Sequence, residues 1–531
     1  MYRSLPLKAK PAAAASRSAL TLSLPLYVLI GMCAGAVRIP LVRATPINWD
    51  GVQFELALSH FDLHAHQPHP PGYILYVLAG RALTFVTGDG GIALSLLSVL
   101  ACAVAVPLVG WLALQIFGET SIALGAALLV AASPLTLYYG AVGLTYAPEM
   151  ALSLVVAVVA WKGAMRLSPG TAVLLGAALG LSGGFRQTSL LMLLPLCLWA
   201  LRGASRTVYV VFIASLVSSC ALWVVPLLIL SGGPAAYLRE SALLAGVVSQ
   251  HTSIFGAGAD GVLYNLAFEA EALGVGLAFG VIPLGLWALR LVRFSLAGRV
   301  RGFFLCWILP ATIFFAVSHM GQYGYVLVVL PPLMLLSALC VRVLLERLAA
   351  NRHVEAVALA LCAAIALPAV CYFALAEGPV TASNIVGNDA RWSAVRLELG
   401  RMDAGHTVIV TNIDWDGPFR AAGYLLPAFH TYAAGEDPDK RFGWLYSAYG
   451  GRSTYALPHP HALGYLALPP GTRTIVALDK ATADRFAAPY GPRSVTLRGG
   501  SQLYILDSPT GDITGIDIRG DTLLVRADGA Q

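Results

Sequence analysis

Hydrophobic residues run in long blocks from about Leu20 to Ala376, interrupted by short polar turns, and beyond Glu377 they give way to shorter alternating stretches. Many blocks reach the roughly 20 residues a helix needs to cross a hydrocarbon core of about 30 Å. They predict spans near 20–42, 91–117, 120–138, 144–162, 170–184, 187–201, 207–231, 262–289, 302–318, 325–345 and 354–376. One block differs. Ile74–Thr87 (ILYVLAGRALTFVT) is short and amphipathic and carries Arg81, which predicts a helix lying along the outer membrane surface. In the last part of the chain, HTVIVTNID (406–414), RTIVALD (473–479), SVTLRG (494–499) and SQLYILD (501–507) read as strands, and Arg391–Arg401 as an amphipathic helix. The expected fold class is a polytopic α-helical membrane protein of about eleven spans plus an interfacial helix, with a small C-terminal α/β domain. Its expected parts are a lead over 1–19, a membrane domain over 20–376 whose first outer loop is 43–90, and a soluble domain over 377–531.

Composition sharpens this. The chain has 531 residues, 57% of them hydrophobic and only 12% charged, with a mean hydropathy of +0.73, well outside the range of soluble domains. A net charge of +6 is no nucleic-acid signal here, because the basic residues sit in short loops between spans. The eight cysteines all lie inside apolar segments and none forms a C-x-x-C, so neither a disulfide framework nor a thiolate metal site is indicated. Arg3, Lys8, Lys10 and Arg17 precede the first apolar block, which we read as an uncleaved first span rather than a signal peptide.

Charge also sets the orientation. With the N-terminus cytoplasmic, the inner loops hold Lys162, Arg166, Arg202, Arg206, Arg290, Arg293, Arg299, Arg301, Arg342, Arg347 and Arg352. The outer ones hold Arg38, Arg43, Arg81, Arg186 and Arg239, which is the positive-inside pattern. Counting Ile74–Thr87 as a span would invert every later loop. The polar motifs then share the outer face: the 43–90 loop, YYGAVGLTYAPE (138–149), GGFRQ (183–187), the 231–261 loop and SHMGQYGY (318–325). An extracytoplasmic site in a plasma (inner) membrane protein follows, with the C-terminal domain on the same side.

The densest chemistry lies in Pro46–Tyr76, where Asp50, Glu55, His60, Asp62, His64, His66 and His69 precede a stiff Pro70-Pro71 elbow. A helix over 50–61 would put Asp50, Phe54, Ala57 and Phe61 on one face. A carboxylate beside an apolar surface is suited to take a proton from an alcohol, so Asp50 is the candidate base; the bland alternative is a helix N-cap. His60 and His64, at i,i+4, have the spacing of two zinc ligands on a helix, yet no second ligand set stands out. Arg186, at an outer boundary after two glycines, has a planar fork suited to phosphate, with Gln187 beside it; a snorkelling arginine is the plain reading. Glu149, next to Tyr146 in TYAPE, is either a site residue or the partner of Arg186. His319, Gln322, Tyr323 and Tyr325 ring a sugar or lipid phosphate, or form an aromatic belt.

Together these motifs resemble the GT-C glycosyltransferases, nearest the protein O-mannosyltransferase and aminoarabinose transferase branch. The resemblance is carried by Asp50, Phe54 and Ala57 after the first span, by His69-Pro70-Pro71, and by the positions of TYAPE, GGFRQ and HMGQYGY. Where the O-mannosyltransferases have an acidic pair, this chain has Trp49-Asp50-Gly51, and where relatives often carry lysine before Pro-Pro it has His69. The resemblance implies transfer of a sugar from a polyprenyl-phosphate carrier to an acceptor, with inversion. Asp50 would act as the base, and His69, Arg186, Gln187, His319, Tyr323 and Tyr325 would bind donor phosphate and sugar. Glu55, Asp62, Glu149 and Tyr146 would serve the acceptor or the framework. No cofactor is required by that chemistry, and a divalent metal, at His60 and His64 if anywhere, is not indicated. The expected partners are the lipid-linked donor, membrane lipids and an acceptor glycan, lipid or protein, with no nucleic acid. The competing class is a transporter or lipid flippase, which calls for an internal repeat and paired broken helices.

Overall fold

The computed structural model of the chain describes residues 17–348, 353–413, 418–436, 441–450, 452–454, 464–487, 491–508 and 511–527. Most of the basic lead, Arg352 and the last residue of the 406–414 stretch lie outside the described residues. The chain divides into two compact units. One takes the chain up to Val42 together with Pro70–Asn384, and the other takes Arg43–His69 and the chain from Ile385 onward. The sequence reading keeps the whole 43–90 loop with the membrane helices. In the structure its first part, 43–69, belongs with the C-terminal domain.

The helical unit begins with α1 (Arg17–Arg38); α2 (Trp49–Ser59) belongs to the second unit. There follow α3 (Ile74–Thr87), α4 (Gly90–Phe117), α5 (Thr120–Ala132), α6 (Pro134–Tyr139), α7 (Tyr146–Met165), α8 (Pro169–Phe185) and α9 (Thr188–Leu201). Next come α10 (Arg206–Leu230), α11 (Pro234–Thr252), α12 (Gly258–Leu277), α13 (Val281–Ala288), α14 (Gly298–Val317), α15 (Leu330–Leu348) and α16 (Val354–Leu375). Each expected span coincides with a helix or a pair of them, and α3 occupies the expected interfacial stretch. Among the described residues six helical stretches are long and apolar enough to cross a membrane: Gly90–Phe117, Tyr146–Met165, Arg206–Leu230, Gly258–Ala288, Gly298–Val317 and Val354–Leu375. The chain is a polytopic integral membrane protein. The 231–261 stretch, read as a loop, contains α11, which starts at Pro234 where a missing N–H costs nothing.

Two arginines inside this unit are met by backbone carbonyls or by carboxylates. Arg38, read as an outer-loop residue, is instead the last residue of α1 and 1% exposed. Its guanidinium donates to the carbonyls of Ala34, Thr136 (3.0 Å) and Ala131 (3.1 Å), tying α1 to α5 and α6. Arg342 on α15 pairs with Glu119 at 2.9 Å and Glu346 at 2.8 Å. Where α8 meets α10 the backbones nearly touch, because Gly176 and Gly180 present no side chain. A Cβ on Gly176 would stand 2.5 Å from the Phe212 carbonyl oxygen and 2.8 Å from the Leu216 nitrogen. Trp223 on α10 closes the contact by donating to Gly180 O at 2.8 Å.

The second unit is built on α17 (Ala382–Leu399), most of which lies in it, and on a seven-stranded sheet. Its strands are β1 (Thr407–Asn412), β2 (His430–Glu436), β3 (Phe442–Tyr449), β4 (Arg452–Thr454), β6 (Thr474–Ala477), β7 (Arg493–Thr496) and β8 (Gln502–Asp507), with α18 (Phe419–Leu425) between β1 and β2. The order is β4-β3-β2-β1-β6-β8-β7, with β1 parallel to β2 and β6 and every other pairing antiparallel. Period-two alternation gives the sheet two cores. Ile409, Val476 and Ile505 pack with Trp392, Val395, Leu399 and Ala422 of the helices. Val408, Val410, Ile475 and Trp444 pack with Ile513, Ile516 and Leu523, which belong to β9 (Ile513–Arg519) and β10 (Thr522–Ala527). These two strands form a smaller sheet with β5 (Tyr465–Ala467) in the order β10-β9-β5, and α19 (Lys480–Ala483) follows β6. The four expected strands are β1, β6, β7 and β8.

The glycine contact is open to a direct test. Gly176→Val forces α8 and α10 apart and should cost about 1–3 kcal/mol, as overpacking does. Gly285→Ala on α13, with no atom within 4 Å of the added carbon, should be neutral or slightly stabilising. Thermal unfolding of the two purified variants in detergent reads the difference.

Candidate functional site

The loop chemistry of the second unit starts at α2. Asn48 caps this helix, its side-chain oxygen accepting from Gly51 N at 3.0 Å. Asp50 therefore sits in the first turn instead of being the cap, where a negative side chain favours the helix dipole. One turn on is Phe54, 2% exposed, whose ring centroid lies 5.5 Å from that of His69. His69 brings Nδ1 to 3.8 Å from Asp50 Oδ1, with the two side chains 15% and 22% exposed. Asp50 and the histidine before Pro-Pro are thus brought together. Glu55 is buried in α2.

The helix stops at Ser59, which corrects two expectations. Phe61 lies beyond it and does not share the Asp50 face, and His60 and His64 do not stand one turn apart on a helix. From Asp62 to Gln67 the chain folds back on itself, with Asp62 N to Gln67 O at 2.6 Å and Gln67 N to Asp62 O at 2.7 Å. The Asp62 carboxylate accepts from His64 N at 2.9 Å and Ala65 N at 3.3 Å, so it shapes its own turn. Among the described residues no group of three or more His, Cys, Asp or Glu is arranged to hold a metal ion.

The loop is fastened to the C-terminal domain at two points. Arg43 and Thr45 meet Asp389 of α17 at 3.4 and 2.6 Å, and Asn388 donates to Pro46 O at 3.0 Å. Trp49 packs in a small core with Phe419, Ala433 and Ala448. The Arg420 guanidinium lies over the Trp49 ring at 5.2 Å and donates to Ala65 O at 3.3 Å. Burial, and then the charges of Arg420, His69 and His64, push the His66 imidazole down to about 3.

The other expected residues form a cluster within the helical unit. Arg186, between α8 and α9, is 6% exposed, and Glu149 in the first turn of α7 is 2% exposed. Arg186 Nε lies 3.4 Å from Glu149 Oε2, and Arg186 Nη1 donates to Thr145 Oγ1 at 3.3 Å. Ser189 on α9 donates to Glu149 Oε1 at 2.8 Å. The guanidinium is flanked by two aromatic rings, Tyr146 at 4.8 Å and Tyr325 at 4.5 Å. Tyr139 meets Tyr146 edge-on at 5.0 Å, and Phe315 and His319 pack against Tyr325 at 5.2 and 5.9 Å. Gly324 permits this approach, because a Cβ there would come within 2.4 Å of the Tyr146 ring.

Three of the expected binders have other engagements. Gln187 donates to Pro71 O at 3.1 Å, bracing the proline elbow. His319 Nδ1 shares a hydrogen bond of 2.9 Å with Thr252 Oγ1 on α11. Tyr323 faces α12, donating to Glu271 at 2.6 Å and packing on Phe268. Sequence reasoning assigned no role to Thr145, the first residue of the TYAPE motif, or to Ser189, two positions after GGFRQ. It also missed Arg420, Phe419 and Tyr446, for which the sequence near Asp50 holds no signal.

Two measurements test these arrangements. Removing one partner of a buried ion pair strands the other charge, so Glu149→Ala should cost about 3–5 kcal/mol in detergent unfolding. The double variant Glu149→Gln/Arg186→Gln should lose less than the two single changes added together. For His66 the folded pKa of about 3 lies below the unfolded value of about 6.5. The unfolded state then binds more protons between these values, so stability is complete above about pH 6.5 and falls as pH drops toward 3. His66→Asn, which tolerates the positive φ of 52°, should flatten that slope in melting curves taken from pH 7 to pH 4.

No family model matches the sequence, and no curated protein does. Solved structures do match. ArnT from Cupriavidus metallidurans bound to undecaprenyl phosphate aligns over 92% of this chain and 98% of that one, with a TM-score of 0.51 and 12% identity. The Archaeoglobus fulgidus oligosaccharyltransferase in complex with Zn and sulfate aligns over 86% of this chain and 68% of that one, at TM-score 0.47 and 13% identity. The arabinosyltransferase EmbB from Mycobacterium smegmatis aligns over 70% and 38%, at TM-score 0.40 and 15% identity. At the level of the fold this polytopic chain is similar to ArnT along nearly the whole of both chains.

Proposed function

We propose that the protein is a membrane glycosyltransferase that takes a sugar from a polyprenyl-phosphate carrier and places it, with inversion, on an acceptor at the outer face of the membrane. The observation that carries this reading is the fold shared with ArnT along nearly the whole of both chains, since that protein was crystallised with undecaprenyl phosphate. The local chemistry is consistent with it. A phosphate ester of a lipid leaves without protonation, so one base suffices and the paired carboxylates of glycoside hydrolases are not needed. In this reading Asp50 takes the proton of the acceptor hydroxyl or amine as its lone pair attacks the anomeric carbon. The carbon–oxygen bond to phosphate breaks and its electron pair leaves with the lipid phosphate. His69, 3.8 Å from Asp50, orients the carboxylate. Arg186 and His319 stabilise the charge gathering on the departing phosphate, and Gln187, Tyr323 and Tyr325 contribute to the sugar site.

The Arg186–Glu149 pair bears on how this works. A guanidinium alone among apolar helices would be expelled or would draw in water. Held by Glu149, Thr145 and two aromatic faces, it is fixed in position before any substrate arrives, and preorganised charge is what stabilises a transition state. The arginine-poor outer loops and the arginine-rich inner ones support an extracytoplasmic site.

Protein reconstituted in liposomes with a polyprenyl-phosphate sugar should release polyprenyl phosphate when an acceptor is supplied. Asp50→Asn should lower that turnover by about 10²–10⁴-fold. Unchanged turnover in the variant would remove Asp50 as the base. Movement of the intact lipid across the bilayer without cleavage would replace the transferase reading with a flippase.

A further inference from the structure

The C-terminal domain has no role in the chemistry just proposed, yet it holds a buried cation aimed at the loop that carries Asp50. Arg420 is 2% exposed, near the start of the short helix α18. Its neighbour Phe419 is fully buried, with its ring 6.2 Å from Trp49 and 5.7 Å from Tyr446. Tyr446, on β3, also meets Trp49 edge-on at 6.3 Å. Trp49 is the first residue of α2 and Asp50 the second, so whatever fixes the indole fixes the start of that helix. On the far side of the turn, Arg420 donates to Ala65 O, four residues before His69. One guanidinium therefore touches both limbs of the loop, the limb that begins at Asp50 and the limb that ends at His69.

We infer that Arg420 is a positioning residue: with Trp49 it clamps the two limbs of the 48–69 loop and sets the Asp50–His69 geometry from the C-terminal domain. The chemical reason for arginine is specific. A planar cation covers an indole face and still has N–H groups left to reach a carbonyl, which neither an ammonium nor a neutral amide does equally well. The anchorage at Asp389 and Asn388 holds the entrance of the loop, at Arg43–Pro46, and Arg420 with its aromatic neighbours meets the loop farther along, at Trp49 and Ala65. A tail that merely shielded a site would have no need to bury an arginine against it, since an unsupported buried charge is costly. Domain and loop thus act as one part in the reaction.

This inference rests on Asp50 being the base, so its test has two separate readouts. Hydrogen–deuterium exchange of the full-length protein should show faster exchange in peptides covering 48–66 for Arg420→Ala, with exchange in α7 and α9 unchanged. That readout is independent of any activity. In the liposome assay Arg420→Ala should lower kcat by about 10–100-fold, as a small misplacement of a catalytic group does, while KM for the lipid donor stays within about twofold. Arg420→Lys should recover part of kcat, because it keeps the charge over the indole. Trp49→Leu approaches the same clamp from the other side, and combined with Arg420→Ala it should add little further loss. Loop exchange and kcat both at wild-type levels in Arg420→Ala would overturn the proposal. So would general loss of protection throughout the C-terminal sheet, which would make Arg420 part of the domain's own core. If Asp50→Asn turns over normally while Arg420→Ala still loosens 48–66, the clamp stands and the base assignment falls.

Discussion

Burying an arginine among apolar helices is tolerable only if every side of the guanidinium meets something that compensates for lost water, and Arg186 imposes that demand on the helical unit. The carboxylate comes from the first turn of α7 and is itself held by Ser189, the hydroxyl comes from Thr145, and the aromatic faces from Tyr146 and Tyr325. These come from four places in the chain, so the ends of α7, α8 and α9 and the turn before α15 must all arrive together. Gly324 is needed for that convergence, because any side chain there would displace the Tyr146 ring. The same demand explains why polar residues gather at these turns rather than being scattered along the spans: a charged group in an apolar unit recruits its neighbours.

A second buried arginine does comparable service in the other unit, with a different composition around it. Arg420 is surrounded by Trp49, Phe419 and Tyr446 and reaches a backbone carbonyl. In both places aromatic faces share the work of accommodating the charge, which lets the cation remain at a fixed point without a large acidic cluster that would bind stray metals or protons. The arrangement also gives the C-terminal α/β domain a reason to be covalently part of a membrane protein. Its sheet is ordinary in construction, with β1 buried on both faces and flanked by parallel partners. What distinguishes it is the early loop packed onto α17 and α18.

Much of this architecture is legible from residue pattern because membrane spans obey a single strong rule. A helix of sufficient length and apolarity is nearly the only structure available to such a stretch, so the spans and the amphipathic α3 follow from the hydropathy and from Arg81. Strands β1, β6, β7 and β8 carry enough apolar alternation to be read directly. The β9–β10 hairpin carries the same kind of alternation, in ITGIDIR and TLLVRA either side of a Gly520 turn with φ of 64°, yet the sequence reading did not name it. Helix α11 escaped because its polar residues break the run of apolar positions without spoiling its helix propensity, Ala, Leu, Arg and Glu all being good helix formers. The loop was legible in its chemistry but not in its geometry. The pairing of Asp50 with His69 is local and could be guessed, whereas the helix ending at Ser59 depends on Asp62 turning the chain back. Arg420 stands 355 positions from the carbonyl it holds, a separation that no local pattern encodes.

That separation has a bearing on biogenesis. The segment with Asp50 leaves the ribosome among the first fifty or so residues after the first helix, yet the surfaces that receive it, α17 and α18, are made only after all the membrane helices. Thr45 and Asp389, 344 positions apart, cannot meet until synthesis is nearly over. The nascent protein therefore waits with its early loop not yet seated on α17 and α18, and maturation is completed from the end of the chain backward to its beginning. A message cut short between α16 and α17 would yield a membrane-inserted helical body whose loop never acquires its seat.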